Sequence, residues 1–410
     1  MSATEKIDLW SDVAESRAIA EALQHLPDIR DKDIPRQDHL LLRSHPAKYS
    51  AGVVREQASE NESNEPVDED MRAIDLSIVL GRYLLAYVHP NFRQYPDPDS
   101  PDPELRQVAD HEKNCLLVQL MFTNYLEASG EMARQAQSLL RWCAARQMAK
   151  SLQVDRVADL GFRTVMESPL MQKAFWGRPP FLFTGPFHYY SQSGDPSFKR
   201  VEASGQYRDE LSLDSLTKWD GKSELATILQ PKVGYLRQGR HEFITFTNHM
   251  AVVRVWYTPG PGDPRKTFAQ LKTLELPTYR SENRPNGKVG FLIGTEKLVL
   301  AAVVHFGRKD GKGDVLRMYG RDGEQIRVDE DLAYLEDDEW RIGDPDEGEY
   351  MLYYVPAPIY PFAPTVELVP RTHPAFDVYR LCADADVPLQ DGDGDEDYDA
   401  DLEEEEDVDE

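Results

Sequence analysis

The chain is poor in cysteine. Three residues, Cys115, Cys143 and Cys382, serve 410 positions, with no CxxC pair among them. That is too few and too scattered for a disulfide framework, and it excludes a structural zinc site of the usual cysteine kind. A reduced compartment, cytoplasm or nucleus, is the expectation. No apolar run reaches the length needed to cross a bilayer, so no membrane partner is expected. The opening MSATEKIDLWSD has no cationic stretch followed by an apolar one, and no secretory signal is expected from it. Basic residues are scarce too, 46 against 73 acidic, for a net charge of −27. Nucleic-acid binding, which needs a basic face, is therefore not expected.

The standard catalytic motifs are also missing. There is no GxxxxGK[ST] loop, no GxGxxG after a strand, no HExxH and no GxSxG elbow. GPGDP at 260–264 lies between strand-like runs and reads as a hairpin loop. The ten histidines are scattered, with no metal-ligand spacing to the carboxylates. No metal and no cofactor are expected.

What is present is sharply organised by charge. From Asp384 to Glu410 there are sixteen Asp or Glu and no Lys or Arg, more than half of the net charge. Such a run repels itself and cannot bury enough apolar surface to fold. It reads as a disordered acidic tail that holds basic proteins loosely or keeps the body soluble. The segment EQASENESNEPVDED, residues 56–70, reads as a flexible linker.

Between these stretches the hydrophobic period changes once. Residues 8–25 have the spacing of a short amphipathic helix. Ile74, Ile78, Leu80, Tyr83, Leu84 and Val88 recur at helical spacing until Pro90. Residues 105–126 and 131–154 read as two more helices, and 158–175 as a short fourth. From Trp176 onward the pattern is strand-like. EFITFTNHMAVVRVWYTP alternates at period two and puts Val253, Val255 and Tyr257 on one face. KVGFLIGTEKLVLAAVVHFG reads as two strands, and DVLRMYG, EQIRVD and EYMLYYVPAPIY as one each. FAQLKTLELPTY reads as a short helix or strand.

The expected class is α+β, helices first and an antiparallel sheet after. The expected division is a flexible leader and linker at 1–70, a helical subdomain at 71–175, a β-rich subdomain at 176–370 and the acidic tail at 371–410.

Candidate chemistry is sparse. Cys115 opens the helical run NCLLVQLMF, and a helix N-terminus lowers a thiol pKa. A thiol nucleophile needs an imidazole and a third group to orient it. His249 and His305, both in strand-like runs, are the candidate bases.

Four segments resemble the ubiquitin-specific protease family (peptidase family C19). Residues 175–214, FWGRPPFLFTGPFHYYSQSGDPSFKRVEASGQYRDELSLD, resemble its fingers region, without the cysteine pairs that often bind zinc there. NHMAVVRVWYTPGPGDPRKTFAQLKTLELP resembles the central strand and loop of its palm. Residues 297–329, KLVLAAVVHFGRKDGKGDVLRMYGRDGEQIRVD, resemble the segment delivering the catalytic His and Asp. EGEYMLYYVP, residues 347–356, is similar to the closing A-Y-x-L-F-Y strand. The resemblance implies a papain-like ubiquitin-specific protease architecture with ubiquitin or a ubiquitin-like protein as partner.

The departures fall on the chemistry. Where the family has G-H-Y, this chain has Gly313-Asp314-Val315, so Asp314 holds the position of the catalytic His. His305 matches a position before that loop. Asp329 aligns with the orienting carboxylate but has no His to orient. The N-x-G-x-T-C-Y-x-N and Q-Q-D-A-x-E-F boxes are absent, and NCLLVQLMF is the nearest phrase to the first. A kept fold with a lost triad implies a catalytically inactive domain used for binding or scaffolding. Two alternatives stand beside it. One is an active cysteine deubiquitinase with a displaced triad of Cys115, His305 or His249, and Asp329. The other is a chaperone-like binder of basic proteins acting through the tail. The partner would lie across the junction of helices and sheet, where Trp176, Phe187, Tyr189, Trp256 and Tyr257 are the aromatic candidates.

Overall fold

A computed structural model describes residues 13–26, 28, 71–88, 110–123, 131–192, 199–202, 211–238, 241–247, 252–283, 289–306, 313–320, 322–328, 334–337, 340–344 and 348–357. The linker at 56–70 and the acidic tail lie outside them. Helices come first: α1 (Val13–Leu23), α2 (Arg72–Leu85), α3 (Leu116–Phe122) and α4 (Glu131–Leu152). No helix among the described residues is long and apolar enough to cross a membrane.

Helix α2 is the centre of this group. Every residue from Ala73 to Leu85 is buried, as befits a helix surrounded by others. Its polar side chains are accommodated individually. Ser77 Oγ donates to the Ala73 carbonyl at 2.7 Å. The Arg82 guanidinium donates to the Leu120 carbonyl at 3.0 and 2.6 Å, tying α2 to α3. Asp75 accepts a bidentate pair from Arg141 of α4 at 2.5 and 2.6 Å and a further bond from the Tyr334 hydroxyl. A buried charge is tolerable only with that degree of pairing. Gly81 lets α3 approach: a Cβ there would stand 2.4 Å from Met121 Sδ.

The expected fourth helix is broken into pieces, of which α5 (Phe162–Met166) is the longest α-helical one, and it ends in a π-helical turn over Gln172–Trp176. Eleven strands follow among the described residues. β1 (Thr184–Gln192), β2 (Lys199–Glu202), β4 (Gly234–Gln238) and β5 (His241–Thr247) form a four-stranded antiparallel sheet in the order β2-β1-β5-β4. The second sheet has seven strands. They are β3 (Leu216–Trp219), β6 (Val253–Tyr257), β7 (Thr273–Asn283), β8 (Val289–Phe306), β9 (Val315–Tyr319), β10 (Gln325–Ile326) and β11 (Glu349–Pro356). Their order is β10-β9-β8-β11-β6-β3, with β7 also on β8.

The class is α+β, but the second sheet is mixed rather than antiparallel throughout. β3 runs parallel to β6, pairing Leu216 with Arg254 and Trp219 with Tyr257. A parallel pair needs a long crossover. Here the crossover contains the β4–β5 hairpin, so the alternating run that reads as one stretch at 242–259 divides between the two sheets.

The seven-stranded sheet separates two cores. On β11, Met351, Tyr353 and Val355 face the helices, whereas Tyr350, Leu352 and Tyr354 face the second core. Val253, Val255 and Tyr257 of β6 share that second face, as their spacing predicts, and Ile244 and Phe246 of β5 close it from the other sheet. β8 is a single 18-residue strand where two are expected. It carries a bulge: Tyr353 pairs with Ala302 but Tyr354 with Leu300, leaving Ala301 extra. Ala301 and Ala302 therefore both face the helices, and the alternation resumes with opposite parity.

Candidate functional site at the helix–sheet junction

Cys115 occupies the N-cap position of α3, with extended backbone at φ −108° and ψ 98°. The N–H groups of Leu117 and Val118 do favour its thiolate, as the helix-start reading expects. Burial outweighs them and pushes the thiol up to about 12. The side chain is fully enclosed among the helices. The polar groups around it are structural. Leu116 N–H donates to Gln147 Oε1 at 3.0 Å, and Gln147 Nε2 donates to the Asn114 carbonyl at 2.5 Å. Glu112 and Arg178 form a buried ion pair, with the Arg178 guanidinium 4.7 Å from the centre of the Phe122 ring.

His305 lies on the other side of the sheet. It is 1% exposed, and its ring packs against Trp340 at 4.9 Å and Tyr350 at 4.8 Å, whose own rings are 5.9 Å apart. Both of those rings belong to the second core, whereas Cys115 belongs to the helical one. The structure does not bring the sulfur and this imidazole into one site. Asp314 is half-buried, and its Oδ2 accepts the Phe162 backbone N–H at 3.0 Å at the start of α5. Asp329 and His249 lie outside the described residues.

The aromatic candidates separate by burial. Trp176 is 1% exposed, donates Nε1–H to the Met166 carbonyl at 2.8 Å and stacks with Tyr353 at 6.2 Å. Arg254 lies 4.2 Å over its ring and donates to the Ser212 carbonyl at 2.6 Å. Burial lowers that guanidinium to about 10, partly offset by Tyr353 and Glu167. Tyr257 is also 1% exposed, and its hydroxyl accepts the Lys266 backbone N–H at 3.0 Å. Both are core side chains, the other role their aromatic character left open, and neither offers a contact surface. Tyr189 pairs through its backbone with Arg200 and Ile244, and Phe187 with Glu202. Their side chains lie outside the described set.

Trp256 has a different setting. It is half-buried and faces the helices from β6. The Arg163 guanidinium of α5 lies 3.4 Å from its ring centre, and Lys218 Nζ of β3 lies 5.4 Å away. Its Nε1–H donates to Glu349 Oε2 of β11 at 3.1 Å. Arg163 in turn reaches Glu349 and Glu167, each at 3.4 Å. An indole with two cations over its ring and a carboxylate on its N–H, where a helix meets the sheet, suits recognition of a polar surface with one apolar anchor. Sequence reasoning selects Trp256 but misses Arg163, Lys218 and Glu349. Only the alternation of LTKW, which sends Lys218 outward, hints at any of them.

Among the described residues no group of three or more His, Cys, Asp or Glu is placed to hold a metal ion. No family model and no curated protein matches the chain.

Proposed function

We propose that this chain is a catalytically inactive ubiquitin-specific-protease-like domain that binds ubiquitin or a ubiquitin-like protein as a recognition or scaffold module. The observation that carries the reading is the fate of the thiol. Burial holds the thiol in its protonated, unreactive form at neutral pH, and the enclosed side chain is closed to a substrate besides. Asp314, at the position the family gives to its His, spends its carboxylate on the Phe162 N–H. The displaced-triad alternative has against it the separation of Cys115 and His305 into different cores. The papain-like architecture draws support from the helices-then-sheets order and from the separate four-stranded sheet beside the seven-stranded one.

The partner would meet the Trp256 junction. The test is a ubiquitin probe with a C-terminal electrophile, run on wild type and Cys115→Ser beside a titration with plain ubiquitin. Binding without an adduct is expected. An adduct lost in Cys115→Ser would overturn the inactive reading, and absence of binding would overturn the ubiquitin reading.

A further inference from the structure

Arg254 of β6 carries a charge that the described residues leave without a bound carboxylate. It is 2% exposed and lies 4.2 Å over the Trp176 ring. Nη2 donates to the Ser212 carbonyl at 2.6 Å, a neutral acceptor. Nε is enclosed and finds no acceptor among the described residues. Burial lowers the guanidinium only to about 10, so it stays charged at neutral pH. Buried charges are otherwise paired, because an unpaired one costs far more than a neutral group.

The groups around it do not supply the pair. Tyr353 is a phenol, and burial holds it in its protonated form. Glu167 is within electrostatic reach, but its Oε2 sits with Arg163 at 3.4 Å. Its Oε1 is enclosed and unpartnered, as Arg254 Nε is, so the two do not meet. Asp214 acts on Lys232, whose charge burial and then Arg254 disfavour. Each nearby carboxylate thus has another cation, and Arg254 keeps only its carbonyl.

The place is close to solvent. β3 ends the strand order of its sheet, and its half-buried Leu216 pairs with Arg254. The Ser212 carbonyl precedes Leu213, which is 57% exposed, and the exposed Asp214.

We propose that Arg254 anchors a site for one small free carboxylate, entered from the β3 margin beside Leu213 and Leu216. A carboxylate oxygen accepts the Nε–H, and a charge-assisted bond of that kind is about twice as strong as a neutral one. One unit of negative charge meets the deficit, whereas a dianion would add repulsion from Glu167. The recess suits a free acid better than a side chain on a partner's surface. The site does not depend on the ubiquitin reading.

The test is titration of the full chain with sodium acetate, read at the nitrogen-15 resonance of Arg254 Nε. Loss of the signal in Arg254→Lys identifies it; should that variant not fold, its ring-current shift in Trp176→Phe does so. A saturable shift with acetate is expected, and none with neutral acetamide. Glu167→Gln removes a like charge beside the ion and should tighten acetate several-fold. No saturable shift would overturn the proposal, as would an affinity unchanged by Glu167→Gln. An equal response to sodium chloride would mean an adventitious ion only and would overturn it too.

Discussion

The Phe162 backbone N–H donates to the Asp314 carboxylate at 3.0 Å, so a residue just before β9 caps the first turn of α5. The cap is supplied from 152 positions away in the chain. Asp314→Ala should cost about 1–2 kcal/mol in chemical denaturation. Asp314→His, which writes the family's residue into its position, should form no adduct with a ubiquitin electrophile probe, because the sulfur remains enclosed. An adduct would mean that the carboxylate alone had kept the site silent.

Alkaline pH should destabilise the fold steeply. Burial raises Cys115 from its ordinary 9.0 to about 12 and Tyr319 from 10.0 to about 12. Burial also raises Tyr353 and Tyr354. Above pH 9 the unfolded chain releases these protons while the native state keeps them, so stability falls as pH rises. Their contribution is complete below pH 9 and is lost towards pH 12. Each fully titrating group adds a slope of about 1.4 kcal/mol per pH unit. Urea midpoints measured from pH 8 to 11 should show the decline, and Cys115→Ala should make it shallower by one such increment. An unchanged slope in that variant would mean the thiol titrates normally.

Trp256→Ala and Trp176→Ala should part company. The first removes a half-buried ring with a cation–π contact and one hydrogen bond, a loss of about 1–2 kcal/mol with cooperative unfolding retained. Ubiquitin titration should nevertheless weaken by an order of magnitude or more. The second empties an enclosed site between Arg254 and Tyr353 and should cost about 3–5 kcal/mol. Equal losses of stability in the two would assign Trp256 to packing alone.

Gly348 fits because it has no side chain. A Cβ there would stand 1.7 Å from His305 Nε2, so Gly348→Ala must displace the ring from its contacts with Trp340 and Tyr350. A cost of about 1–3 kcal/mol or more is expected. In His305→Ala the same change should be nearly free, giving a coupling of at least about 1 kcal/mol in a double-mutant cycle. Additive effects would show that the backbone, not the imidazole, sets the fit.

Local pattern carried some of this fold into the sequence and long-range pairing hid the rest. The period-two run through Val253, Val255 and Tyr257 is legible because one face meets one core. α2 is legible because its apolar residues recur over three turns. The parallel β3–β6 pair is not, since nothing in LTKW names a partner 38 positions on. The length of β8 is concealed by Gly290 and Gly294, which read as punctuation but lie within the β7–β8 ladder. At the site, Cys115 is correctly found at a helix start, yet its enclosure depends on helices remote in sequence. Trp256 is visible as an aromatic, and the cation over it is not, because Arg163 comes from another element altogether.

One row of rings crosses four strands. His305, Tyr350, Tyr257 and Trp219 occupy paired positions on β8, β11, β6 and β3, with neighbouring ring centres 4.8, 5.6 and 4.9 Å apart. Trp340 adds a fifth ring at 4.9 Å from His305. Chromophores fixed this closely in an asymmetric array produce near-ultraviolet circular dichroism, which collapses when packing loosens even if the strands survive. The protein therefore carries an intrinsic optical gauge of its packing, readable without any label, to which the Trp176–Tyr353 stack on the helix-facing side also contributes.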